Sequence, residues 1–232
     1  MSGQEITIRG ADGAFKGYLA SPGSGRGPGV VVLQEIFGVN KVMRDVADGL
    51  AARGFFVLVP DLFWRLQPGV QLTDQSEAEW QQALGLMKRF DTGKGIEDVQ
   101  ASIDALRALP GVNGKVGAVG YCLGGLLAYL AATRTDVDAA VGYYGVNIQE
   151  KLGEAANIKR PLMLHIAEAD AFTPPPAREK LVAGLKTNPH VTLHGYPAMD
   201  HAFARVGGKN YDHACADLAN TRTATFFRQH LN

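Results

Sequence analysis

Cys122 stands at the apex of Gly120-Tyr121-Cys122-Leu123-Gly124-Gly125, between the apolar run Lys115–Val119 and the helix-like run Leu126–Ala132. Strand, sharp turn and helix, with small residues around a thiol, is an arrangement that can aim a nucleophile out of a sheet. The glycines serve the turn, because strained backbone angles and close neighbours leave no space for Cβ atoms. The N-terminus of the following helix directs free N–H groups and the positive end of its dipole at the sulfur, which favours thiolate. An isolated cysteine is more often a small buried hydrophobe. The elbow pattern is what makes Cys122 a candidate for covalent catalysis, and Cys215, in a helical pattern without glycines, is assigned to packing.

A thiolate nucleophile needs a base and a group to orient that base. After Cys122 comes the strand Pro161–Ile166, followed by the loop Ala167-Glu168-Ala169-Asp170. The strand Val191–Tyr196 then runs into Met199-Asp200-His201-Ala202-Phe203. His201 is the histidine placed after the last strand, with Phe203 and Arg205 close by. His165 and His194 lie within strands and are expected to be structural, and His190, His213 and His230 to be superficial. Asp170 is the favoured orienting acid, with Glu168 and Asp200 as alternatives. Nucleophile, acid, histidine is the chain order of an α/β-hydrolase triad. Both later residues fall beyond the carboxyl ends of predicted strands, where open parallel sheets place their sites.

The elements that must position these groups alternate along the chain. Ile6–Ile8 and Ala14–Ala20 form an opening hairpin around Ala11-Asp12-Gly13. Gly29–Gln34 is a β-branched strand, residues 40–52 a helix ended by Gly54, and Phe55–Val59 a strand stopped by Pro60. Trp64–Thr73 is irregular, and Glu77–Phe90 and Ile96–Leu109 are helices. Lys115–Val119, Ala139–Tyr143, Pro161–Ile166 and Val191–Tyr196 supply further strands, and Asp212–Gln229 closes the chain as a helix. Such alternation predicts an α/β fold, a mostly parallel central sheet with helices on both faces, in a single domain over residues 1–232.

Composition narrows the function classes. With 23 basic and 23 acidic residues in 232, no electrostatic footprint for nucleic acid or an anionic membrane is present. No apolar run approaches the roughly 18 residues of a membrane helix. Met1–Thr7 has neither a basic region nor an apolar core, so no secretory signal is expected. Two cysteines make no disulfide framework, and a free thiol suits a reducing, cytoplasmic setting. No histidine pair has metal-site spacing with a carboxylate nearby, so neither metal nor cofactor is expected.

Glu35 is the odd residue. It follows the aliphatic run Val30–Leu33 and Gln34 and opens the loop Ile36-Phe37-Gly38-Val39-Asn40, the loop that supplies an oxyanion-hole N–H in this kind of fold. A carboxylate there is partly buried and needs a partner. It either accepts backbone hydrogen bonds as a structural group or couples to the Cys122 thiol and governs when it ionises.

Several segments together resemble the dienelactone hydrolase (carboxymethylenebutenolidase) family. They are Gln34–Asn40, Pro60-Asp61-Leu62, Gly114-Lys115-Val116-Gly117, Gly120–Gly125, Gly142-Tyr143-Tyr144-Gly145 and His201-Ala202-Phe203-Ala204-Arg205, within a match over about residues 5–228. The resemblance implies a Cys122–His201–Asp170 triad and an oxyanion hole from the N–H groups of Ile36 and Leu123. It implies that Glu35 deprotonates the thiol once substrate displaces it, and that Arg205, Trp80, Tyr143 and Phe37 contribute to the substrate site. It further implies a monomer that opens dienelactones to maleylacetate through an acyl-enzyme.

One departure bears on substrate. The best-known members of the family clamp the substrate carboxylate with two arginines; Arg205 matches one, and the other falls at or near Trp80. Losing a charge-assisted contact of this kind is worth roughly 1.5–3 kcal/mol. Either Arg65 or another cation substitutes, or the preferred lactone or ester is less anionic. Two alternatives therefore stand beside the main expectation: a general short-chain ester or lactone hydrolase of the same family, and a thiol redox sensor without hydrolase activity. The second lacks an adjacent resolving cysteine and has no need of an aligned His201 and Asp170.

Overall fold

A computed structural model describes residues 3–232. The chain alternates strands and helices: β1 (Gln4–Gly10), β2 (Gly13–Ala20), β3 (Gly27–Leu33), α1 (Lys41–Ala51), β4 (Phe56–Pro60), α2 (Glu77–Arg89), α3 (Thr92–Arg107), β5 (Val112–Tyr121), α4 (Leu123–Arg134), β6 (Ala139–Tyr143), β7 (Leu162–Ala167), α5 (Pro175–Leu185), β8 (Val191–Tyr196) and α6 (His213–Leu231). The strands form one sheet in the order β1-β2-β4-β3-β5-β6-β7-β8. From β4 to β8 all pairings are parallel, and the β1–β2 hairpin joins the β4 edge antiparallel. This is the mostly parallel sheet that the alternating pattern predicts, in the α/β-hydrolase fold that the family resemblance implies.

The central strands are apolar along their whole length because both faces are covered. In β3, Val30, Val31, Val32 and Leu33 are all fully buried. Alternation assigns the faces. Gly29 faces Leu106 of α3, whereas Gly117 of β5, paired with Val30, faces Phe227 and Leu231 of α6. The helix after Cys122, α4, is buried from Leu123 to Ala132 and so is hydrophobic all round rather than amphipathic.

Helix starts carry the expected caps. Asn40 accepts from Met43 N, Ser76 from Glu79 N and Asp212 from Cys215 N. One boundary differs from the pattern reading: α3 begins at Thr92, four residues before Ile96. Asp91 accepts from both Gly93 N and Lys94 N and starts the helix through a glycine-containing turn. Elsewhere the boundaries shift by a few residues at most. Among the described residues no helix is long and apolar enough to cross a membrane.

Candidate active site

The catalytic candidates gather at the carboxyl ends of β3, β5, β7 and β8. Cys122 immediately follows β5 and precedes α4, with φ 57° and ψ −113°, a strained backbone for a residue bearing Cβ. The surrounding space explains the glycines. A Cβ on Gly120 would lie 1.8 Å from Gly124 O, one on Gly124 would lie 2.1 Å from Leu33 O, and one on Gly125 would lie 2.6 Å from Tyr143 O. The turn can close only because these positions carry no side chain, and closing it places the start of α4 against β3 and β6.

His201 lies beyond β8, in a turn whose next residue, Ala202, has φ 63°. Its Nδ1 is 2.8 Å from Asp170 Oδ2, and Asp170 Oδ1 accepts from Phe172 N at 2.8 Å. Both side chains are almost fully buried. Asp170 is thus the acid that meets the ring. Asp200 instead accepts from the backbone N–H groups of Ala171 and His201, tying the two loops together. Glu168 is exposed and lies against Gly195. Burial opposes protonation of the His201 ring, but charge on Cys122 and the hydrogen bond with Asp170 outweigh it and push the imidazole up to about 10. The His201 ring therefore holds its proton more tightly than a free imidazole. Tyr144 and Phe172 pack edge-on to this ring, with centroids 5.2 and 4.8 Å away.

The backbone N–H groups of Ile36 and Leu123 have no hydrogen-bond acceptor among the described residues. Ile36 follows Glu35 in the loop after β3, and Leu123 is the first residue of α4, directly after Cys122. Glu35, 1% exposed, directs both carboxylate oxygens at Arg205: Nε–H donates to Oε2 at 2.8 Å and Nη2–H to Oε1 at 2.9 Å. No hydrogen bond joins Glu35 to Cys122 among the described residues. The partner that a buried Glu35 requires is Arg205, which also stacks over the Phe37 ring at 4.8 Å.

The family model described as "Dienelactone hydrolase family" matches residues 15–231. The chain belongs to the dienelactone hydrolase family. It is 50% identical over 226 residues to a protein of Azospirillum brasilense provisionally named a carboxymethylenebutenolidase, with 96% of each chain covered. It is 40% identical over 222 residues to the carboxymethylenebutenolidase of Pseudomonas putida, covering 95% of this chain and 94% of that one. A crystal structure from Klebsiella pneumoniae, provisionally named a dienelactone hydrolase, superposes with TM-score 0.87 at 24% identity over 98% of both chains; at that identity the likeness concerns the fold.

Two residues expected at the substrate site of this dienelactone hydrolase family member lie elsewhere. Tyr143, expected to meet substrate, is fully buried, and its hydroxyl bonds Asn220 and Thr223 of α6. As the last residue of β6 it points into the sheet's helix-covered face. The next residue, Tyr144, with φ 37°, turns toward His201 instead. Burial and the nearby Glu35 charge raise its pKa well above the usual value, so its hydroxyl stays protonated. Arg65 is not the second cation of the site. It bonds the buried Asp98 and Asp12 and stacks on Trp64, because a buried carboxylate claims it. Phe37, 1% exposed, forms a floor beneath Trp80, the ring centroids being 5.5 Å apart.

Trp80 itself does line the cavity beside His201. That cavity, of about 180 Å³, is walled by Asp74, Trp80, Phe172, His201, Arg205 and Lys209, among others. The sequence pattern does not single out Asp74, Phe172, Lys209 or Tyr144. Tyr144 lies inside a quoted motif, one residue from the tyrosine chosen. Asp74, in an irregular polar loop before α2, carries no sequence signal that would separate it from a solvated acid.

Proposed function

We propose that this enzyme hydrolyses dienelactones through an acyl-enzyme on Cys122. The Cys122 thiolate attacks the lactone carbonyl carbon, and the oxyanion is received by the N–H groups of Ile36 and Leu123. As the tetrahedral intermediate collapses, the ring oxygen leaves and takes a proton from His201. The neutral imidazole, held in orientation by Asp170, then draws a proton from water, which attacks the thioester and releases the acid. Glu35 serves the thiol: its proton passes to Glu35 when substrate draws Arg205 away. Until then the bidentate pair with Arg205 keeps that carboxylate occupied.

The observation that carries this reading is the Cys122 elbow together with a buried His201–Asp170 pair whose partners lie 2.8 Å apart, in a chain whose curated relatives are named carboxymethylenebutenolidase. The test is hydrolysis of a purified dienelactone beside a neutral aryl ester, before and after thiol alkylation, with intact-mass detection of the acyl-enzyme. Dienelactone turnover abolished by alkylation and by Cys122→Ala supports the reading. Undiminished turnover in a folded Cys122→Ala variant refutes it. Dominance of the aryl ester would retain the cysteine chemistry and move the substrate to general short esters, a reading favoured by Trp80, which places no charge where a second arginine is expected.

A further inference from the structure

Arg205 is the buried cation of the cavity, and every nitrogen of its fork is already engaged. Glu35 takes Nε and Nη2, and Asp74 Oδ2 accepts from Nη1 at 2.7 Å. The two acids occupy different sides. Glu35 lies beneath, with a side chain 2% exposed, whereas Asp74, 18% exposed, is itself part of the cavity wall. A substrate carboxylate coming from the cavity therefore meets an Arg205 edge that already carries a carboxylate.

The loop holding Asp74 is fixed rather than incidental. Thr73 donates to Glu79 through its N–H at 3.3 Å and its hydroxyl at 2.6 Å, and Ser76 caps α2 on the same residue. The remaining Asp74 oxygen accepts from Gln75 Nε2 at 2.6 Å. Across the cavity, Trp80 offers a ring face and no compensating cation.

We infer that Asp74 is a specificity-determining residue: it occupies the Nη1 edge of Arg205 as a stand-in for a substrate carboxylate, so that anionic lactones compete with it for that edge and neutral lactones and esters are relatively favoured. The inference rests on the reading above, in which the lactone enters the cavity beside His201. Exchange of one carboxylate for another on the Nη1 edge yields little net attraction, since that N–H group donates to a carboxylate either way. Apolar substrate surface against Trp80 and Phe172 is not subject to that competition.

The test compares a dienelactone carboxylate with its own methyl ester, so that charge alone differs, in the wild type, Asp74→Asn and Asp74→Glu. Asp74→Asn is expected to raise the anion-to-ester ratio of kcat/KM about tenfold, chiefly through a lower KM for the anion, and Asp74→Glu to keep the wild-type ratio. A ratio unchanged in Asp74→Asn overturns the inference; a reduced one also does, making Asp74 a strut for Arg205. Calorimetric binding of maleate, a small unsaturated dicarboxylate, to Cys122→Ala with and without Asp74→Asn separates this from the proposed reaction. Tighter maleate binding on loss of Asp74, alongside a wild type that opens neither lactone, would remove the proposed function and leave the inference standing. Unaltered maleate binding removes the inference whatever the turnover.

Discussion

The turn that carries Cys122 and the loop that carries Arg205 border the same site, yet opposite forces hold them. Around the thiol, position is set by backbone against backbone: Gly120, Gly124 and Gly125 lie so near carbonyl groups of the turn, β3 and β6 that no side chain fits. Around Arg205, position is set by charge, with one guanidinium held between Glu35 and Asp74. The first arrangement cannot be varied without refolding the turn, while the second can be rebalanced by exchanging single side chains. In the proposed reaction, chemistry thus sits on the part of the molecule that tolerates no change, and substrate reading on the part that does.

The sharpest way to break this contrast is Gly124→Ala. Its Cβ would lie 2.1 Å from Leu33 O, a backbone atom that cannot rotate away, so a loss above about 3 kcal/mol is expected. Thermal melting and soluble yield measure it. The same exchange at Gly49, exposed in α1 with nothing within 4 Å, should stabilise by about 0.5–1 kcal/mol. Equal effects at the two positions would mean the elbow is not sterically fixed.

His201 joins the two regions, and its protonation gives the next largest effect. The folded-state pKa, about 10, exceeds the ordinary 6.5, so the ring binds its proton more tightly in the native state. That stabilisation is complete below about pH 6.5 and disappears as pH rises through about 10. Each tenfold gain in proton affinity is worth about 1.4 kcal/mol. Urea unfolding of wild type and His201→Asn should therefore differ by a few kcal/mol near pH 6 and converge toward pH 10. A gap independent of pH would show that packing against Tyr144 and Phe172, rather than charge, holds the ring.

On the charged side, Arg205→Lys keeps the cation but loses the fork that engages Glu35 and Asp74 together. The expected result is a several-fold fall in kcat/KM for a dienelactone carboxylate, since that anion replaces Asp74 on the fork and gains only the difference between the two contacts. The ester of the same lactone should fall less. Parallel losses on both compounds would indicate that Arg205 serves mainly to hold Glu35.

The contrast also explains what the sequence disclosed. Elements whose position depends on local rules were legible: the β1–β2 hairpin, the buried Val30–Leu33 strand, the Cys122 elbow, and the loops presenting Asp170 and His201. Each depends on periodicity or on glycine at a tight turn, and both leave a mark in the residue order. Tyr143 and Tyr144 are harder to tell apart, because a single positive-φ residue at the end of β6 decides which ring turns toward His201. The role of Arg65 turns on the buried Asp98, 33 residues away in the chain, which holds it away from the site. Asp74 depends on a partner 131 residues distant. Long-range charge pairing leaves no periodic trace, which is why the recognition wall was harder to read than the catalytic one.

The mildest test of the comparison concerns Lys209, which lines the cavity beside Arg205, is exposed, and has no acidic partner among the described residues. Where Arg205 is neutralised at short range by two carboxylates, Lys209 is a solvated charge at the rim and acts on an approaching anion through solvent. Its influence should be small and sensitive to salt. Lys209→Met is expected to lower kcat/KM for the dienelactone carboxylate about two- to threefold at low ionic strength, with the difference vanishing near 0.5 M salt, where the screening length falls to about 4 Å. A tenfold loss that persists in high salt would instead place the ammonium in direct contact with the substrate carboxylate. Lys209 would then be the second cation for which Trp80 leaves room, and the charged wall would be built from a lysine and an arginine rather than from Arg205 and the acids that compete for it.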